Sequence, residues 1–255
     1  MSTKQSVAVR VENLNKSFDI VGGQTHVLKS ISFEVNVGEF AVIYGPSGCG
    51  KSTLLHTILG LERPNSGRVL VLGKDLYAGY SEDELADFRK NNLGMVYQQP
   101  NWVKAINVEE NVGLPLALLG QDYITRMGKA RNLLKTVKMI DWALYHPSEL
   151  SSGQQQKVSL ARALMTEPKI IIADEPTGNL DFDSGEELIN MLGAFCKDEG
   201  RTVLMVTHDL EYLKYADKAI SLFDGEVRKI FSPKIDTKEM NTINMKRKMY
   251  EELTK

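Results

Sequence analysis

An α/β fold with a parallel sheet is predicted by three short apolar runs separated by helical patterns. The runs are Phe40–Tyr44, Ile170–Ala173 and Val203–Val206. Each is too short for a helix and shows no polar alternation, which marks a strand covered on both faces. The 255-residue length suits one large domain, or one domain with a lobe, and allows a sizeable core.

The elements follow in order. Val7-Ala8-Val9-Arg10-Val11-Glu12 alternates like a half-buried strand, and β pattern resumes from Val27 to Val35. Phe40–Tyr44 runs straight into a Gly-rich turn, and a helix is expected from about Lys51. Ser81 and Glu84 have the spacing of a capping box that opens another helix. From about Asn101 to Met165 the pattern is mostly helical. Alternation returns over Ala219–Phe223 and Glu226–Ile230, with Asp224-Gly225 as the hairpin turn. A polar tail follows Ser232-Pro233.

Lys plus Arg number 31 against 33 Asp plus Glu, so the net charge of −2 lacks the basic excess of a bulk nucleic-acid binder. Cys49 and Cys196 are too few for a disulfide framework and are expected as thiols. Met1–Arg10 holds no apolar secretory core, and no apolar run approaches the roughly 18–20 residues of a membrane helix. The longest candidate, Val112–Leu119, is short and holds Pro115. The expectation is a cytosolic protein whose membrane contact runs through a partner or a surface helix.

Gly45-Pro46-Ser47-Gly48-Cys49-Gly50-Lys51-Ser52 fits G-x-x-x-x-G-K-[ST] between a buried strand and a helix, the context that confirms this motif. Glycines let backbone N–H groups close around an anion, and the helix start aims a partial positive charge at it. Lys51 supplies a point charge for β- and γ-phosphates, Ser52 a hydroxyl for Mg²⁺, and Thr53 support on the α-phosphate side. The strand Ile170–Ala173 ends in Asp174-Glu175, at the carboxyl end where parallel strands carry functional groups. Asp174 is expected to hold Mg²⁺ through water, and Glu175 to orient and polarise the attacking water.

Leu150-Ser151-Ser152-Gly153-Gln154-Gln155-Gln156, followed by a helix, resembles the signature of the ATP-binding-cassette (ABC) ATPases, usually Leu-Ser-Gly-Gly-Gln. The resemblance extends in order through the rest of the family's motifs and covers roughly residues 7 to 231. It implies that Gln98, after Met95-Val96-Tyr97, contacts Mg²⁺ and water, and that His208 reaches the γ-phosphate. It also implies that Asp181, in Gly178-Asn179-Leu180-Asp181, belongs to a loop that touches the partner protomer, and that Phe18 stacks on adenine. The resemblance further implies that Ser151, Ser152, Gly153 and Gln154 serve the ATP of the opposite protomer, in a head-to-tail homodimer formed on ATP binding. Cys49 inside the cradle is common in the family.

The family fold is a P-loop NTPase with a RecA-like parallel-sheet core, an N-terminal antiparallel β subdomain and a helical signature subdomain. On this chain the ATP-binding domain is expected over residues 5–231, with its helical part at about 101–165 and a tail at 232–255. One departure stands out: Ser152 replaces a glycine, which costs something if that position needs a positive φ, so turnover is expected to be weakened rather than abolished.

Asp174–Asp181 and Asn111-Val112-Gly113-Leu114-Pro115-Leu116 look like the branch of lipoprotein-release, macrolide-export and cell-division ATPases. That likeness implies a permease-like membrane partner and a place on the cytoplasmic side of the membrane. In the family a cytoplasmic helix of the partner inserts near Gln98, and Trp102 is the expected anchor there. The alternatives are a soluble ABC ATPase of translation or DNA repair, or a regulatory ATP binder with little turnover. An ordinary GTPase is disfavoured, since no guanine-reading Asn-Lys-x-Asp occurs. Lys246-Arg247-Lys248 in the tail is too small a basic cluster for anionic-lipid binding.

Overall fold

A computed structural model describes residues 6–243 and 245, so Lys246-Arg247-Lys248 lies outside the described residues. The chain gathers into two compact units. One runs up to Tyr80 and takes up again at Leu204; the other is Ser81–Val203.

The first unit opens with strands β1 (Val7–Ile20), β2 (Gly23–Asn36) and β3 (Phe40–Tyr44), helix α1 (Lys51–Ile58), and strands β4 (Ser66–Val71) and β5 (Lys74–Asp75). β1 is longer than its alternation suggested, and it pairs with β2 as an antiparallel hairpin. β4, which its pattern did not reveal, pairs with the other edge of β1, giving an antiparallel sheet in the order β2-β1-β4-β5. Its inward residues Val9, Val11, Leu14, Leu28, Ile31 and Val69 are buried, each such side chain contributing about 2 kcal/mol of transfer free energy.

The second unit holds α2 (Glu82–Asn92), β6 (Leu93–Tyr97), α3 (Val108–Leu118), α4 (Tyr123–Thr136), α5 (Ser152–Ala163), β7 (Ile170–Asp174) and α6 (Phe182–Glu199). The capping box at Ser81 and Glu84 forms as expected. β6 was not foreseen as a strand because Gly94 interrupts its apolar run. That glycine is required by close backbone approach: a Cβ there would stand 2.5 Å from the Ala163 carbonyl oxygen. β6 and β7 run parallel, with Tyr97 opposite Asp174 at their carboxyl ends. Between residues 101 and 165 the helices α3, α4 and α5 are joined by loops and two short 3₁₀ turns.

β8 (Thr202–Thr207) spans the point where the second unit ends, and β9 (Lys218–Phe223) and β10 (Glu226–Phe231) complete the first. β9 pairs parallel to β3, all of whose residues are buried, and antiparallel to β10. Asp224 and Gly225 both take positive φ, 48° and 73°; the hairpin turn therefore matches the twist of its strands. Among the described residues no helix is long and apolar enough to cross a membrane.

Candidate functional site: a phosphate cradle and a signature helix

In the first unit the chain leaves β3 at Tyr44, wraps residues 45–50 and enters α1 at Lys51. Gly50 is the residue before the helix, with φ 101°, a conformation that L side chains rarely adopt. Gly45 is fixed by space instead: a Cβ there would lie 2.1 Å from the Leu222 carbonyl oxygen. The loop is tied further by Gly225 N–H to Cys49 O at 3.1 Å and by Lys29 N–H to Gly225 O at 2.8 Å. The β9–β10 turn thus holds the back of the cradle. Lys51 is buried, and its ammonium donates to the carbonyls of Gly45 at 2.9 Å and Pro46 at 3.0 Å. Those carbonyls offset its desolvation and hold the charge over the loop. Pro46, Ser47 and Gly48 form the rim, and Ser52 and Thr53 follow in the first turn of α1, with Ser52 exposed.

Cys49 is almost fully buried, and burial pushes its thiol pKa up against the opposing pull of Lys51. Phe18 is 37% exposed near the end of the β1–β2 hairpin, opposite Thr25, with the Lys16 ammonium 4.7 Å from its ring centroid. An exposed aromatic face beside a cation suits a planar ligand better than a core role. His208 is exposed and follows β8 directly. The next residues are fixed by Asp209 N–H to Thr207 Oγ1 at 3.0 Å and Glu211 N–H to Asp209 Oδ1 at 2.9 Å.

In the second unit β7 delivers Asp174, half-buried, and then Glu175, whose φ of 44° places a non-glycine residue in the left-handed region. Gly178 N–H closes back on Glu175 O at 3.1 Å, and a Cβ on Gly178 would meet Gln98 Nε2 at 2.7 Å. The Gln98 side chain therefore lies against the loop that follows Glu175. Asp181 ends that loop as the cap of α6: its carboxylate accepts from Ser184 N–H and Ser184 Oγ, both at 2.9 Å. Those bonds hold the carboxyl below the usual aspartate range.

The signature is a helix start built by capping. Ser151 Oγ accepts from Gln154 N–H at 3.3 Å, while Gln154 Oε1 accepts from Ser151 N–H at 2.9 Å. This capping box was not foreseen from the sequence, which marked Ser151 and Gln154 only as part of the signature. Ser152 is the first helical residue and is not among the described residues with positive φ. The expected backbone cost of serine there is absent, and with it the reason to expect weakened turnover. Gly153 is needed for space: a Cβ would stand 2.9 Å from Ser184 Oγ and 3.0 Å from Ser184 Cβ.

Trp102 departs from an open anchor. Its indole Nε1–H donates to Gln155 Oε1 at 2.9 Å, and the Arg162 guanidinium lies 4.4 Å from its ring centroid. The nearby concave surface is a groove of about 360 Å³ whose lining includes Tyr97, Pro115, Leu118, Leu119 and Arg162. Sequence reasoning passed over Gln155, Gln156, Ser184 and the buried Asn111. Gln155, Gln156 and Ser184 work through contacts to distant parts of the chain, for which spacing carries no signal, whereas Asn111 holds the chain just before it, at Val103, Ile106 and Asn107.

A loop that can close on an anion only because its glycines lack side chains, between a buried strand and a helix, defines the class of P-loop nucleotide-binding proteins. The ABC transporter family profile matches residues 28–178, and the chain belongs to that family. It is 42% identical over 224 residues to the uncharacterized ABC transporter ATP-binding protein MJ1508 of Methanocaldococcus jannaschii, covering 88% of this chain and 99% of that one. It is 40% identical to the macrolide export ATP-binding/permease protein MacB of Bartonella henselae, over 89% of this chain but only 34% of MacB. The dimeric, post-hydrolysis structure of the ATP-binding cassette MJ0796 bound to ADP and Pi matches with a TM-score of 0.81 at 35% identity, covering 88% of this chain and 98% of that one. The fold is that cassette fold, and the chain is an ATP-binding, ATP-hydrolysing subunit of an ABC transporter.

Proposed function

We propose that the chain works as an ATP-driven homodimer on the cytoplasmic face of a membrane, coupling closure of the dimer to a permease-like partner. The observation that carries this reading is a second capped helix start, separate in sequence from the cradle, of the kind that suits a phosphate. The capped start of α5 exposes Ser151 and Ser152, with Gly153 packed behind them, and a chain with one triphosphate in its cradle can fill that second site from a partner copy. The dimeric state of the related cassette supports it.

In this reading Lys51 neutralises the β- and γ-phosphates, and Phe18 stacks on the base. Ser52, Gln98 and Asp174 would hold Mg²⁺. Their hydroxyl, amide and carboxylate oxygens suit a hard cation that keeps waters and phosphates as its other ligands. Bound Mg²⁺ supplies charge neutralisation on the phosphate oxygens. Glu175 accepts the proton of the attacking water, His208 steadies the γ-phosphate, and Asp181 faces the partner protomer.

The membrane partner docks near Trp102, in the groove lined by Tyr97, Leu118, Leu119 and Arg162. Leu118 and Leu119 are exposed apolar residues on one wall, and such a patch suits a protein contact. Trp102 backs this surface through Arg162 rather than opening onto it. The test is ATP-dependent dimerisation by size-exclusion chromatography, beside steady-state hydrolysis. Glu175→Gln is expected to trap a dimer with ATP while the wild-type chain turns over. A Glu175→Gln chain that binds ATP and stays monomeric would overturn the proposal.

A further inference from the structure

The face of α5 that follows the signature grips one short stretch of chain at four points. Gln156, 2% exposed, donates through Nε2 to the carbonyls of Tyr97 at 3.0 Å and Gln98 at 2.7 Å. Arg162 donates to Asn101 O at 2.8 Å. Gln155 accepts from the Trp102 indole at 2.9 Å, and its Nε2 donates to Leu150 O at 3.0 Å, the residue just before Ser151. All of these groups belong to one compact unit. The stretch carries Gln98, and the helix carries the signature.

We infer that Gln155, Gln156 and Arg162 are positioning residues that fasten residues 97–102 to the signature helix, so that Gln98 and Ser151–Gly153 are placed as one body. The inference rests on the proposed role of Gln98 at the metal. Two carbonyls of adjacent residues held by one buried amide leave that backbone little freedom to turn, and the direction of the Gln98 side chain follows from it. The bond from Gln155 to Leu150 extends the same hold to the start of the signature. A shift of either end is thereby passed to the other, so the hydrolytic glutamine of one site and the phosphate-binding serine serving the other site respond together.

The test is steady-state ATP hydrolysis of the full chain at saturating ATP and varied Mg²⁺. Gln156→Met keeps the volume and removes both donated bonds. It is expected to lower kcat roughly tenfold and to raise the Mg²⁺ concentration at half-maximal rate, with the KM for ATP within about twofold. In a Gln98→Ala background the same change is expected to have no further effect on kcat, because its influence runs through Gln98. Equal loss in both backgrounds, or unchanged kcat, would overturn the inference. If Gln98→Ala alone leaves kcat unchanged, the role of Gln98 itself fails, and the inference falls with it for that separate reason. Should Gln156→Met not fold, Trp102→Phe serves on a half-buried residue. It keeps an aromatic face for Arg162 and loses the indole N–H bond together with part of the ring, for an expected loss of roughly threefold that again vanishes in Gln98→Ala.

Discussion

Adding one methyl group at Gly153 tests whether the signature helix is positioned by its contact with α6. A Cβ at Gly153 would sit 2.9 Å from Ser184 Oγ and 3.0 Å from Ser184 Cβ. The hydroxyl is not free to swing aside, because it already donates to Asp181 Oδ2. Gly153→Ala must therefore either break that bond or push the start of α5 away from α6. Overpacking of this kind costs about 1–3 kcal/mol, and alanine returns up to about 1 kcal/mol over glycine in a helix. The net loss is about 1 kcal/mol, a fall in midpoint of about 2–4 °C for a chain of this size, read by circular dichroism. The loss of ATP-driven dimerisation in the Glu175→Gln background is expected to be much larger than that small destabilisation explains, since the displaced residues are those proposed to meet phosphate. Ser184→Gly removes both clashing atoms, so the double variant Gly153→Ala/Ser184→Gly is expected to regain dimerisation while remaining less stable. A double variant that dimerises no better than Gly153→Ala would refute the steric cause.

Three further perturbations follow from individual contacts. Asn111 is fully buried, accepts from Val103 N–H, and shares its two amide hydrogens among the carbonyls of Val103, Ile106 and Asn107; Asn111→Ala is expected to cost about 3 kcal/mol in urea unfolding, and a loss under about 1 kcal/mol would show that these bonds do not hold residues 103–107 in place. Because the Cys49 thiol is held above the ordinary range, iodoacetamide labelling mapped by mass spectrometry should be slow at neutral pH. Its rate should climb as pH rises toward that raised value, and ATP should slow it further; labelling as fast as free glutathione at pH 7 would count against burial. Ser152→Gly restores the usual signature residue and, since Ser152 already sits in unstrained helix, should change kcat by less than about twofold, whereas a tenfold gain would show a cost that the backbone does not reveal.

Wherever function needed a local device, the chain declared it. The cradle was legible because a phosphate loop imposes glycines and a lysine at fixed spacing between a strand and a helix. Ile170–Ala173 was legible because burial on both faces leaves no polar residue in it. β4 and β6 were harder to read: Gly67 and Gly94 interrupt them, and each glycine answers a neighbour remote in sequence, the Asn13 carbonyl and the Ala163 carbonyl. The same limit explains Ser152. Its departure from the family pattern looked costly while the φ of that position was unknown, and once the residue is seen to be helical the cost disappears.

The run Gln154-Gln155-Gln156 gives the sharpest case. Three identical side chains stand in a row, yet one caps the helix, one reaches Leu150 and Trp102, and one enters the interior to hold Tyr97 and Gln98. Successive residues on a helix point about 100° apart, so neighbours in sequence must face different surroundings. Only the first of the three was assigned a role beforehand, and that as part of the signature rather than as a cap. The other two act on chain more than fifty residues away, where the connection between signature and hydrolytic glutamine is made by packing rather than by motif.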